Sequence, residues 1–135
     1  MLSHFRLPSF GIVLVTALTL AGTLDATGKI AILDRTQVYF GKPESFKNAG
    51  VIEFAKVTAH IPEYKQIKAK GLKKTDAEYI VLAQEGTQHF RKIVKEVAEK
   101  KGVDLVAETT AIVPPRGVVL PELTNDAIKK LGGTP

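Results

Sequence analysis

One segment limits the possible folds more than any other. Thr75-Asp-Ala-Glu78 has the form of a capping box, in which the Thr75 hydroxyl serves the Glu78 N–H and the Glu78 carboxylate reaches back. Beyond it Tyr79, Leu82 or Ala83, Phe90, Ile93 or Val94, and Val97 or Ala98 keep one apolar stripe at helical spacing. Lys100 and Lys101 place cations at the negative end of the dipole, and Gly102 supplies the stop. Residues 76–101 therefore read as one helix of roughly 39 Å. A rod of that length cannot lie wholly on the core of a small domain, so part of it projects or packs on another subunit. Gly86 falls on or beside the stripe, where it thins the helix or admits a close neighbour.

The domain behind the rod is small because the first residues read as an address. Met1 to about Ala26 has a short start carrying His4 and Arg6 and no acid, then an apolar run from Phe10 to Gly22, then small residues. The run is short for a membrane span, which wants about 20 apolar residues. Residues 1–26 are expected to be a cleaved export signal, with an uncleaved inner-membrane anchor as the alternative; either puts the remaining chain in the periplasm. Roughly 109 residues remain, enough to fold, without a wide margin. Cys is absent, which excludes disulfides, thiolate metal sites, a Cys nucleophile and lipid attachment through a lipobox. With 44% apolar and 24% charged residues the chain is too apolar for wholesale disorder.

Lys29-Ile-Ala-Ile-Leu-Asp34 reads as a buried strand, with Asp34 capping the turn that follows, and Arg35 to Phe40 as a helical turn or two. Asn48 is placed as the N-cap of a helix carrying Val51, Phe54 or Ala55, and Thr58 or Ala59. That helix must stop near His60, because Ile61 precedes Pro62. Pro62 opens a second helix that ends at Gly71. After the long helix, 103–108 is a strand and 111–120 a further strand interrupted at Pro114 and Pro115, with Val118–Leu120 a possible fourth. Thr124 caps a closing helix, 125–131. The expectation is an α+β fold in β-α-α-α-β-β-α order. A small sheet body (27–47 and 103–135) carries a projecting, broken helical hairpin (48–102) within one domain, 27–135.

Chemical constellations are sparse. His60-Ile-Pro-Glu63 has a ligand-like spacing, but Pro62 interrupts the helix that would align it, and no metal is expected. No phosphate loop, dinucleotide fingerprint or nucleophile elbow is present, so the chain reads as no enzyme and as needing no cofactor. The net charge is +5, which suits anionic partners or plain solubility. Its densest run is Lys65, Lys68, Lys70, Lys73 and Lys74, uninterrupted by acid between Glu63 and Asp76. These lysines read either as a contact for lipid headgroups, lipopolysaccharide or acidic client segments, or as a solvated loop. Nucleic acid is not expected, since no stacking aromatics are interleaved.

Three stretches together resemble the OmpH/Skp-like periplasmic chaperones. Lys29-Ile-Ala-Ile-Leu-Asp34 is similar to the family's first strand. Phe90-Arg-Lys-Ile-Val-Lys-Glu-Val-Ala-Glu-Lys-Lys-Gly-Val-Asp-Leu-Val-Ala-Glu108 is similar to its returning arm helix, glycine stop and second strand. Glu122-Leu-Thr-Asn-Asp-Ala-Ile-Lys-Lys-Leu131 is similar to the family's D-I-T-x-x-V-x-x-x-L ending, with Glu122 where Asp is usual. The resemblance implies a homotrimer whose strands associate into a hub, here through Ile30, Ile32, Leu105, Val106 and Ile112. It also implies coiled-coil arms around a cavity, and ATP-independent holding of unfolded outer-membrane proteins during outer-membrane biogenesis. The breaks at Pro62 and Gly71 imply short arms and a shallow cavity. The alternative is a non-chaperone oligomeric envelope module that touches anionic membrane surfaces.

Overall fold

The computed structural model describes residues 29–135, and the leader read at 1–26 lies outside them. The fold is α+β. Three short strands come first: β1 (Ala31–Ile32), β2 (Val38–Phe40) and β3 (Ala49–Ile52). Three helices follow, α1 (Phe54–Thr58), α2 (Pro62–Lys70) and α3 (Ala77–Lys101). The chain then returns through β4 (Leu105–Glu108) and β5 (Ile112–Val113) to α4 (Thr124–Lys130).

β4 is the centre of a three-stranded sheet in the order β2-β4-β3. β3 lies parallel to it, Ala49 opposite Leu105 and Ile52 opposite Glu108. Parallel neighbours need a long crossover, and α1 to α3 form it. On its other side β4 pairs antiparallel with β2, while β1 pairs antiparallel with β5. The chain from β1 to β2 thus runs against the chain from β4 to β5 as one ribbon. Both limbs are interrupted by 3-10 turns, at Arg35–Gln37 and Thr109–Ala111. Asp34 caps the first turn, its carboxylate accepting from the Thr36 N–H at 2.9 Å and the Gln37 amide at 3.0 Å. The Thr36 hydroxyl, which also donates to it, lowers its carboxyl below the ordinary value most, followed by the Thr36 N–H and then the Gln37 amide.

The first correction to the sequence reading is at Asn48, which caps no helix. Ala49–Ile52 is a strand with every residue buried, and the helix begins only at Phe54. Four apolar residues in a row carry no period that separates a buried strand from a helix. What decides the matter is distant in sequence. The Asp104 carboxylate accepts from the Lys47 N–H at 2.9 Å and the Asn48 N–H at 2.8 Å, fixing this strand beside β4. The element order is therefore β-β-β-α-α-α-β-β-α, and 48–52 belongs to the body. The start of α1 is likewise served from a distance: Glu108 accepts from the Phe54 N–H at 3.0 Å and the Tyr39 hydroxyl at 2.8 Å. Burial first, and then the Glu108 carboxylate, raise the Tyr39 phenol well above its usual value.

Other local expectations shift by a residue or fail. Arg35–Gln37 is a turn, but Val38–Phe40 is strand. Asp76, not Thr75, is the N-cap of α3, and its carboxylate accepts from the Lys73 N–H at 2.7 Å. The ribbon breaks at Thr109–Ala111, ahead of Pro114. Val118–Leu120 forms no strand; a turn from Pro115 to Val118 leads into it, and Val51 then bonds Pro121 and Leu123 at 2.8 Å each, covering the outer edge of β3. Thr124 is the first residue of α4, not its cap. The Glu122 carboxylate accepts from the Thr124 N–H at 2.9 Å and from its hydroxyl, and that hydroxyl accepts from the Glu53 N–H at 2.9 Å. The expected stops do hold: Pro62 opens α2, and Gly71 and Gly102 take the left-handed conformation that ends α2 and α3.

Apolar packing lies on both faces of the sheet. On one, α1, the far half of α3 and α4 bury Ile52, Val57, Phe90, Val94, Val106 and Leu123. Phe54 and Tyr39 pack on Phe90 at centroid separations of 4.8 and 5.1 Å. The other holds Ala49, Val51, Leu105, Ala107 and Ile112, with Ile30, Ile32 and Val38 half-buried against them. Leu105, Val106 and Ile112 are therefore core residues of the single chain and present no surface to another copy. Each large side chain fully buried this way contributes about 1.5–3 kcal/mol.

Candidate functional site

The long helix divides into two parts with different surroundings. From Phe90 onward its inward side chains are in the body core. Nearer its start it is clamped to α2, and Gly86 makes this possible. The Tyr64 ring lies over Gly86 so closely that a Cβ there would sit 2.8 Å from it. The Tyr64 and Thr87 hydroxyls bond at 3.0 Å, and His89 Nδ1 meets Glu63 Oε2 at 3.1 Å. Glu63 thus pairs with His89 and not with His60, whose ring lies beside Gly133. Among the described residues no cluster of His, Cys, Asp and Glu is suited to a metal ion.

Lys65, Lys68 and Lys70 stand on α2, and Lys73 and Lys74 on the connection to α3; all five are exposed. Lys70 pairs with Glu78 across the hairpin. Among the described residues Lys65, Lys68, Lys73 and Lys74 have no acidic partner. In the first turns of α3, Ile80 and Val81 are 57% and 53% exposed. The sequence reading missed this pair. They lie off the stripe of Tyr79 and Leu82, and two β-branched apolar residues on the polar side of an amphipathic helix were the available signal.

The body has its own exposed apolar residues. Leu33, just past β1, is 57% exposed, and Val119, ahead of α4, is 92% exposed, with Val118 beside it. If copies associate, these side chains, with half-buried Ile30 and Ile32, are the ones available. Leu105, Val106 and Ile112 are not.

No helix among the described residues is long and apolar enough to cross a membrane. No family model matches the chain, and neither the curated proteins nor the solved structures give a match.

Proposed function

We propose that this chain is a short-armed member of the OmpH/Skp-like family, acting in the periplasm as an ATP-independent holdase for unfolded outer-membrane or other envelope proteins. The observation that supports this reading best is the exposed pair Ile80 and Val81 in the first turns of α3, on the same clamped hairpin that carries the exposed lysines of α2 and the 71–76 connection. Such a surface gives an unfolded segment apolar contact and long-range attraction without a shaped pocket. Binding is then weak at each point and tolerant of sequence, as a holdase requires. No nucleotide is needed, because release follows when the client buries its own apolar surface. In this proposal the body associates into a homotrimer through Leu33, Val118, Val119, Ile30 and Ile32, so that several arms share one client. Light scattering tests the activity. An outer-membrane protein diluted from urea should aggregate less in the presence of the protein, and no suppression at severalfold molar excess overturns the reading. Sedimentation tests assembly separately: a single-chain mass at micromolar concentration removes the trimer.

A second reading is favoured by the four lysines without acidic partners: an oligomeric envelope module that touches anionic lipid or lipopolysaccharide. Its binding to anionic vesicles should weaken as salt rises, because exposed charges are screened beyond about 10 Å at 0.1 M ionic strength. Replacing Lys65, Lys68, Lys73 and Lys74 by Gln should abolish it, and unchanged binding would reject this alternative.

A further inference from the structure

The elbow between α1 and α2 forms a concavity of about 340 Å³. That is within the range of small-molecule sites, which start near 300 Å³. Phe54, Ala55, Ala59 and Tyr64 line it, and Lys65 and Lys68 stand at its rim. The floor is held in place from behind. Phe54 packs edge-on against Phe90 at 4.8 Å and lies 6.5 Å from the Tyr64 ring, whose hydroxyl is tied to Thr87. Both hydroxyls of the lining are already engaged: that of Thr58 turns back to the Ala55 carbonyl at 3.3 Å, and that of Tyr64 meets Thr87. Among the described residues no acidic side chain lines the groove. Lys65 and Lys68 are three apart on α2, which places both ammonium groups on one face.

A fixed aromatic and methyl floor with two uncompensated cations on one rim suits a particular ligand chemistry. We infer that the α1–α2 elbow binds a single-chain anionic amphiphile, a medium-chain carboxylate, with its head between Lys65 and Lys68 and its tail on Phe54, Ala59 and Tyr64. A neutral tail leaves both cations without a counter-charge. A bare anion leaves the apolar floor in water. The site shares two lysines with the proposed client surface, but its apolar part is Phe54, Ala59 and Tyr64 and not Ile80 and Val81, so a variant at Ala59 can fail or succeed without regard to client binding.

Decanoate titrated into isotope-labelled protein below its micelle-forming concentration is the test, read by NMR. The expected result is saturable shifts centred on Phe54, Ala55, Ala59 and Tyr64. Decanol and acetate, lacking head charge and tail respectively, should each bind at least about tenfold more weakly. The double variant Lys65→Gln/Lys68→Gln should weaken decanoate about tenfold, the effect of roughly two exposed charge contacts. Ala59→Phe should abolish binding by filling the groove while keeping both lysines. Lys73→Gln/Lys74→Gln should leave it unchanged. Shifts centred on Ile80 and Val81 or on Val119, no saturation, equal binding of decanol, or equal loss in the Lys73/Lys74 variant would each overturn the inference.

Discussion

The two parts of α3 have different surroundings, a packed body at one end and a single helix at the other. From Phe90 to Ala98 four large apolar side chains are buried against the sheet and other helices, and Glu96 is tied to Lys130 of α4 at 3.0 Å. From Ala77 to His89 the packing partner is α2, and the contacts include one ring on one glycine, two hydroxyls, one His–Glu contact and the Lys70–Glu78 ion pair. The difference separates the element that holds the fold from the surface left for contact. An α2 with no buried residue can open without the body melting, because local stability follows local burial.

The largest expected effect is in the body. Val94→Asp and Leu105→Asp each place an unpaired charge at a fully buried position, at a cost of about 3–5 kcal/mol. That is a large share of the roughly 5–15 kcal/mol that holds a domain together. Circular dichroism should show loss of the cooperative thermal transition, and a folded Leu105→Asp protein of unchanged melting temperature would break the distinction drawn here. Next is the clamp. Gly86→Val drives a side chain into the Tyr64 ring and should cost about 1–3 kcal/mol. Amide exchange should quicken in α2 while the amides of β4 keep their protection; equal loss in both would mean that arm and body are one cooperative unit.

A smaller effect concerns the tie between β3 and β4. The Lys47 N–H and then the Asn48 N–H hold the Asp104 carboxyl below the ordinary carboxylate value. A folded-state value below the unfolded one adds stability above the unfolded pKa and loses it as pH falls through the folded value. Asp104→Asn should therefore lower the melting temperature at pH 7, and the gap should close as the solution is taken well below pH 3.8. A gap that persists at pH 2 would assign the effect to geometry, not charge. The smallest effect on stability belongs to the arm surface. Ile80→Ser with Val81→Ser removes exposed groups and should change stability by no more than about 0.5 kcal/mol per site. If the holdase proposal is right, it should still reduce suppression of aggregation severalfold; unchanged suppression would place client contact elsewhere.

The helix boundaries were legible where a single residue type decides the backbone. Pro62, Gly71 and Gly102 mark positions whose geometry other residues adopt poorly, and the structure uses them as read. Asp34 was legible for a similar reason, since its side chain serves its own next turn. The failures share a different cause. Asn48, Thr75 and Thr124 have the residue types and neighbours of caps, but none of them caps a helix. The Asp104 carboxylate takes the Asn48 N–H from far along the chain, the Glu122 carboxylate takes the Thr124 N–H, and Asp76 is the N-cap of α3 with its carboxylate turned back to the Lys73 N–H. Ala49–Ile52 was read as helix because strand and helix differ there only in what lies beside them. At the candidate site the basic run was visible, and Gly86 was visible as a close approach. Ile80 and Val81 carried only a weak signal, two β-branched residues off the apolar stripe, and their exposure is evident only in the fold.

The account centres on the hairpin as the working surface and the sheet as its support. Amide hydrogen exchange with and without a urea-denatured outer-membrane protein tests that division most directly. The account expects added protection confined to α2, the 71–76 connection and the first turns of α3, with β3, β4 and α4 unchanged. Protection centred on the body, or none anywhere while the client stays in solution, would contradict it.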